Sequence, residues 1–178
     1  MTEANTFNKE KFREVLHYII SRTGDEENVG KTVLFKILYF SDFDFYELNE
    51  KPITGEVYKK ITHGPAPIHF DEVVEELIKD KKVEKITKSV KGFKDNLMKY
   101  ISLVKPSLSL LNIDEKTQID KIIQRLTAMD GARQVSSYSH GDMPWKATED
   151  MEEIDYEFVF YRDGVYSVRT EEPAVAAA

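Results

Sequence analysis

The residues of this chain that could do chemistry are four histidines (His17, His63, His69 and His140), one tryptophan (Trp145) and a few serines and acids. His63, His69 and His140 with Asp42 have the donor types of a zinc or iron site. No pair of these histidines has the i, i+4 spacing that sets two imidazoles on one helical face, as in His-Glu-x-x-His, so no metal motif is present. Ser136, Ser139, His140 and Asp142 are the residue types of a hydrolytic relay. Such relays are normally assembled from separate segments, and the chain has no Gly-x-Ser-x-Gly elbow. Gly24-Asp-Glu-Glu-Asn-Val-Gly30-Lys31-Thr32 resembles a phosphate-binding loop. It has one residue too many before the Gly-Lys pair, follows a helical pattern rather than a strand, and would turn Asp25, Glu26 and Glu27 towards the phosphates. The enzyme alternative therefore rests on Asp42, His63 and His140 meeting in an open cleft. In the structural alternative, His63 and His140 lock loops by hydrogen bonds and Trp145 fills a gap between two halves.

The elements that must position these residues are organised around Pro52–Pro67. Thr54-Gly55 and His63-Gly64-Pro65 are turn chemistry, since glycine is free at positive φ and proline fixes φ. Between them Val57–Ile61 reads as a short strand. Pro65 and Pro67 are expected to stop that strand at His63, with the next helix starting near Pro67. Before this stretch lies helix one (Asn8–Arg22), whose Phe12, Val15, Leu16, Ile19 and Ile20 form one stripe. Asn8 caps it, Phe7 and Phe12 make a hydrophobic staple, and Gly24 is expected to close it in the left-handed conformation. Helix two (Val29–Leu48) is apolar nearly all round and reads as the central one, with Asp25–Glu27 as an acidic start favoured by the helix dipole. Its Tyr39, Asp42 and Tyr46 form a polar-aromatic face, and a buried Asp42 needs hydrogen-bond donors. Helix three (Ile68–Lys79) leads into two β-like runs, Val83–Val90 and Asn96–Val104. Helix, helix, helix, hairpin is the order of a winged-helix unit. Helix three carries Asp71, Glu72, Glu75 and Glu76 where a DNA-reading helix would be basic.

After Pro106, helix four (Asn112–Met129) begins with a capping pair, Asn112 and Glu115. A short helix over Ala132–His140 and a turn presenting Trp145 follow. Tyr156, Phe158 and Phe160 alternate with their neighbours, and Asp163-Gly164 predicts a C-terminal hairpin. The expected fold is α+β and predominantly helical, with a winged-helix-like first half, a β-hairpin, a helical second half and a C-terminal hairpin. Residues 1–170 read as one domain and 171–178 as a flexible tail.

Composition bounds the function. Apolar residues make up 41% of 178, enough for a sizeable core. The net charge of −7 argues against coating nucleic acid by phosphate neutralisation. With no cysteine there is no disulfide, thiol nucleophile or cysteine-ligated metal. No run approaches the ~18 apolar residues of a membrane span, so a soluble cytoplasmic protein without a cofactor is the expectation.

Tyr39-x-x-Asp42, Ile53-Thr54-Gly55-x-x-Tyr58, His63-Gly64-Pro65-x-Pro67 and Ser136-x-x-Ser139-His140 with Pro144-Trp145 occur in an order that resembles the Panacea or SocA-like antitoxin domain, over about Asn8–Lys146. The resemblance implies a bacterial or phage antitoxin of a type II toxin–antitoxin system, not an enzyme. It implies direct binding of a cognate protein toxin, including translation inhibitors of the small alarmone-synthetase type, as a homodimer or in a heterotetramer with the toxin. One branch of the family is an adaptor that delivers its toxin to the ClpXP protease, and some members add an N-terminal DNA-binding domain, which is not expected ahead of helix one here. The motif residues are expected to be structural, while variable surface residues choose the toxin; the acidic face of helix three is one candidate. The Ala-rich end, Ala174–Ala178, resembles a ClpX-recognised terminus, the alternative being a frayed tail or remnant.

Overall fold

The computed structural model of the chain describes residues 5–89, 92 and 96–169. Helix α1 (Lys9–Thr23) starts where Asn8 accepts a hydrogen bond from the Lys11 amide, and Phe7 packs edge-on against Phe12 at 5.6 Å. Gly24 does not take the expected left-handed conformation: its φ is −58° and ψ −34°. The Lys99 ammonium answers the carbonyls there, donating to Gly24 O and Glu26 O, so no left-handed cap is needed. Helix α2 (Lys31–Asn49) is the central element; from Val33 to Glu47 every residue except Phe35 is buried. Asp25–Glu27 lie in the preceding loop, outside its first turn.

Strands β1 (Tyr58–Ile61) and β2 (Gly64–Pro67) form an antiparallel hairpin, so both prolines lie inside a strand rather than ending one. The register explains their tolerance. Pro65 and Pro67 stand opposite Lys60 and Tyr58. Those two residues direct backbone bonds to the other edge of β1: Lys60 N donates to Glu152 O, Met151 N to Lys60 O and Ile154 N to Tyr58 O. An amide at the proline positions would have met no ladder partner.

Helix α3 (Phe70–Lys79) and the antiparallel hairpin β3 (Val83–Lys88) and β4 (Leu97–Ser102) complete a winged-helix-like first half, with α1 packed on both α3 and β4. The expected end of the first strand at Val90 lies outside the described residues. Helix α4 (Ile113–Thr127) carries the expected capping box, with Asn112 and Glu115 each satisfying the other's amide. Helices α5 (Gly131–His140) and α6 (Met143–Lys146) follow. The protein is thus α+β and predominantly helical.

The expected C-terminal hairpin is not formed. Tyr156–Tyr161 is a 3-10 helix, capped by Asp155 accepting from the Glu157 amide. The β1 edge that could have received a strand is taken by Met151–Ile154, with Lys59 bridged to Glu153. The aromatics pack instead on α2: Tyr156 stacks on Phe43 at 4.3 Å, and Phe160 meets Tyr46 at 5.9 Å. The 171–178 tail, with its Ala-rich end, lies outside the described residues. No described helix is long and apolar enough to cross a membrane.

Candidate functional site

The polar residues singled out by spacing fall into three clusters around α2. The first centres on Asp42, which is 1% exposed. It accepts from Thr54 N at 2.7 Å, Thr54 Oγ1 at 2.6 Å and Tyr58 OH at 2.7 Å. Burial pushes its pKa up to about 6, against the pull of these donors. The carboxylate thereby ties α2 to the Ile53–Glu56 loop and to β1. Gly55 holds that loop at φ +72°, where a Cβ would sit 2.5 Å from Thr6 O.

The second cluster was not foreseen. Arg162, whose side chain has no exposed surface, donates Nε and Nη2 to the two oxygens of Asp142 at 2.8 and 2.7 Å. Its Nη1 reaches Asp44 Oδ1 at 2.8 Å, and Glu47 lies 3.6 Å away. Arg125 Nη2 holds the other Asp44 oxygen at 2.7 Å, and Tyr39 OH donates to Asp142 Oδ2 at 2.8 Å. Burial raises the Asp44 pKa, opposed by the charges of Arg162 and Arg125. Burial and the Asp142 charge raise that of Tyr39.

The third cluster joins the β1–β2 turn to α5 and α6. Lys36 of α2 is fully buried and donates to Pro65 O at 3.1 Å, and burial lowers its pKa to about 7. Gly64, at φ +109°, leaves room for it, since a Cβ there would lie 2.7 Å from Lys36 Cε. Ser139 Oγ, buried beside Gly64, donates to Ser136 O. His140 stacks on Trp145 at 4.3 Å, and Lys60 Nζ lies 4.0 Å from the Trp145 ring centroid. Burial, then the charges of Lys36, His63 and Lys60, lower the His140 pKa. Pro144, in the first turn of α6, is buried, and its carbonyl accepts from Thr148. His63 is exposed at the turn, and Pro67 is buried opposite Tyr58.

These contacts bring His63 and His140 into one cluster and engage Asp42 in another. None of the hydrogen bonds of Asp42 involves a histidine. Asp142, the acid of the hydrolytic set, is engaged by Arg162 and Tyr39, and Ser139 bonds a backbone carbonyl. His69 stacks on Phe7 at 4.0 Å and bonds buried Glu56 through Nδ1 at 2.6 Å, while His17 Nε2 meets Ser102 Oγ at 2.9 Å. Among the described residues no group of three or more His, Asp or Glu is placed to hold a metal ion. On the candidate partner face of α3, Asp71 pairs with Lys31, Glu72 with Lys9, and Glu76 with Lys9 and Arg13. Glu75 makes no ion pair among the described residues. Two surface clefts, of about 280 Å³ beside the 25–29 loop and about 130 Å³ between α1 and the 107–110 segment, are lined by none of the motif residues.

Spacing missed Lys36, Asp44, Glu47, Arg125 and Arg162. The one signal for Lys36 was a lysine inside the apolar run Val33–Phe40. Arg162 had none beyond closing an aromatic segment, because its partners lie up to 118 positions away.

A model of the family described as "Antitoxin SocA-like, Panacea domain" matches residues 34–146, which take in all four motif blocks. No curated protein and no solved structure matches the chain.

Proposed function

Because the chain belongs to the SocA-like, Panacea-domain antitoxin family, we propose that it neutralises a cognate protein toxin by holding it in a direct, non-catalytic complex. The observation that carries this reading is that the family's landmarks around Asp42 and Tyr39 are spent inside the fold. Asp42, Thr54 and Tyr58 bond one another, Tyr39 bonds Asp142, and Gly55 and Gly64 accommodate close neighbours. A polar set satisfied internally supports a scaffold and leaves recognition to the exterior. Such a scaffold, with a net charge of −7, suits a basic toxin, because complementary charge speeds encounter and selects partners. The resemblance points to a translation inhibitor, of which the small alarmone-synthetase type is one.

The α3 face remains the proposed contact, in a narrower form. Asp71, Glu72 and Glu76 hold α3 to α1 and α2, so reversing them perturbs packing as well as recognition. Glu75→Arg isolates the recognition term. The experiment is co-expression with the adjacent reading frame: the neighbour alone arrests growth, this chain restores it, and the two co-purify. Growth arrest that this chain does not relieve, or relief without a complex, overturns the reading. The mass of the complex distinguishes a homodimer from a heterotetramer with toxin. Toxin levels after a translation block distinguish plain neutralisation from delivery to ClpXP, where the toxin is lost.

A further inference from the structure

In the cluster under the His63–Pro65 turn, buried donors outnumber acceptors. Lys36 Nζ has three N–H groups and one acceptor, Pro65 O, with no exposed surface. Trp145 Nε1 and His140 Nε2 are buried without a partner, two of only four such side-chain atoms among the described residues. Lys60 and His63 add positive or protonatable groups at the surface side of the same cluster. No carboxylate pairs with Lys36, Lys60, His63 or His140 among the described residues.

Elsewhere the chain satisfies its buried charges. Arg162 has two carboxylates, Asp42 three donors, Glu56 the His69 ring and two amides, Glu115 the Lys11 ammonium, and Lys99 two carbonyls. Leaving a buried ammonium short of acceptors and an indole N–H with none is costly. What is missing is an acceptor, and the excess charge is positive in a chain of net charge −7.

We infer that this cluster binds an oxyanion, the phosphate or carboxylate group of a small ligand. Lys60 and Trp145, half-buried, form its outer side, His140 its wall and Lys36 its base. The ligand is small because the donors it must reach have almost no exposed surface, and the flexible Lys60 side chain is the part that moves aside. Trp145 Nε1 and Lys36 Nζ donate to the oxyanion oxygens, and His140 donates once protonated. Such recognition by lysine and ring N–H groups needs no metal.

Trp145 is the single tryptophan of the chain, so its fluorescence reports the site directly. The full chain is titrated near neutral pH with sulfate, whose charge is constant in that range, and separately with acetate, each at ionic strength fixed with chloride. A saturable change in emission is expected. Response to sulfate assigns a phosphate-class ligand and response to acetate a carboxylate, and either supports the site. Lys60→Gln, which removes a positive charge from the outer side of the site, is expected to weaken binding ~10-fold. Lys36→Met, which replaces a buried charge by an apolar chain of similar length, is expected to weaken it at least as much in a folded protein. Emission that follows ionic strength alone overturns the site, as does saturable binding that both variants leave intact. Toxin neutralisation is measured separately in growth, so either proposal can fail without the other.

Discussion

Replacing Arg162 by methionine tests whether the buried charge network or the apolar core dominates the closure of the C-terminal segment on α2. Methionine fills similar space, so the change is electrical more than steric. Three charge-assisted hydrogen bonds of 2.7–2.8 Å disappear. They cannot simply be summed, because methionine also removes the cost of burying a guanidinium. The decisive quantity is what stays behind. Asp142, fully buried, keeps only the Tyr39 hydroxyl, whereas Asp44 keeps Arg125. Breaking a buried pair so that one charge is uncompensated costs about 3–5 kcal/mol. For a chain of 178 residues, at ~2–4 °C per kcal/mol, the melting temperature falls by roughly 6–20 °C. Arg125→Met should cost only about 1–2 kcal/mol, since its side chain is 30% exposed and Asp44 retains Arg162. Adding Asp142→Asn to Arg162→Met removes the stranded charge and should recover on the order of 1–2 kcal/mol. Urea unfolding followed by circular dichroism gives all three values. An Arg162→Met cost below ~1 kcal/mol, or a double variant no more stable than the single one, refutes the reasoning.

Two further perturbations act at single positions. The Lys36 pKa is about 7 in the folded chain against 10.5 ordinarily, so the unfolded chain binds more protons between those values and this group makes stability rise with pH across that window. Lys36→Met should flatten that rise and raise stability near neutral pH, as read from melts across the window; an unchanged slope would show that the amine is charged and compensated. Gly55→Ala forces a side chain into a positive-φ position against Thr6 O and should cost at least about 2 kcal/mol, a value that urea melts would contradict if they coincide with wild type.

The helices were legible because their apolar residues repeat at helical spacing and their caps are local chemistry: Asn8 and Asn112 sit at the positions where their side chains accept amides. Asp42 was legible as a buried carboxylate needing donors, although nothing local says that Thr54 and Tyr58 supply them. The β2 prolines were misread because tolerance depends on which edge of β1 each residue faces, and that is fixed by Met151–Ile154, some 85 residues downstream. Alternation of aromatics at 156, 158 and 160 fits a strand, and the 3-10 helix prevails because Phe43 and Tyr46 of α2 offer ring contacts while the β1 edge is occupied. Lys36 was hidden by the run that buries it, since one lysine among apolar residues scarcely alters a helical pattern.

Arg162 also bears on where the folding unit ends. The family match stops at residue 146, yet Asp44 and Asp142 lie inside it and their guanidinium lies outside. On the other side, α1 supplies Phe12, Leu16, Ile19 and Ile20, all with no exposed surface. A fragment of residues 34–146 therefore loses at least these four core side chains, at ~1.5–3 kcal/mol of burial each, and strands a buried carboxylate at about 3–5 kcal/mol more. Against a total stability of ~5–15 kcal/mol, that loss is enough to unfold it. The fragment should show no cooperative urea transition, and residues 1–170 should unfold in one step, as a single domain requires. A cooperative transition in the 34–146 fragment would mean that the matched segment holds its own core, and that the clusters along α2 do not depend on the two flanks.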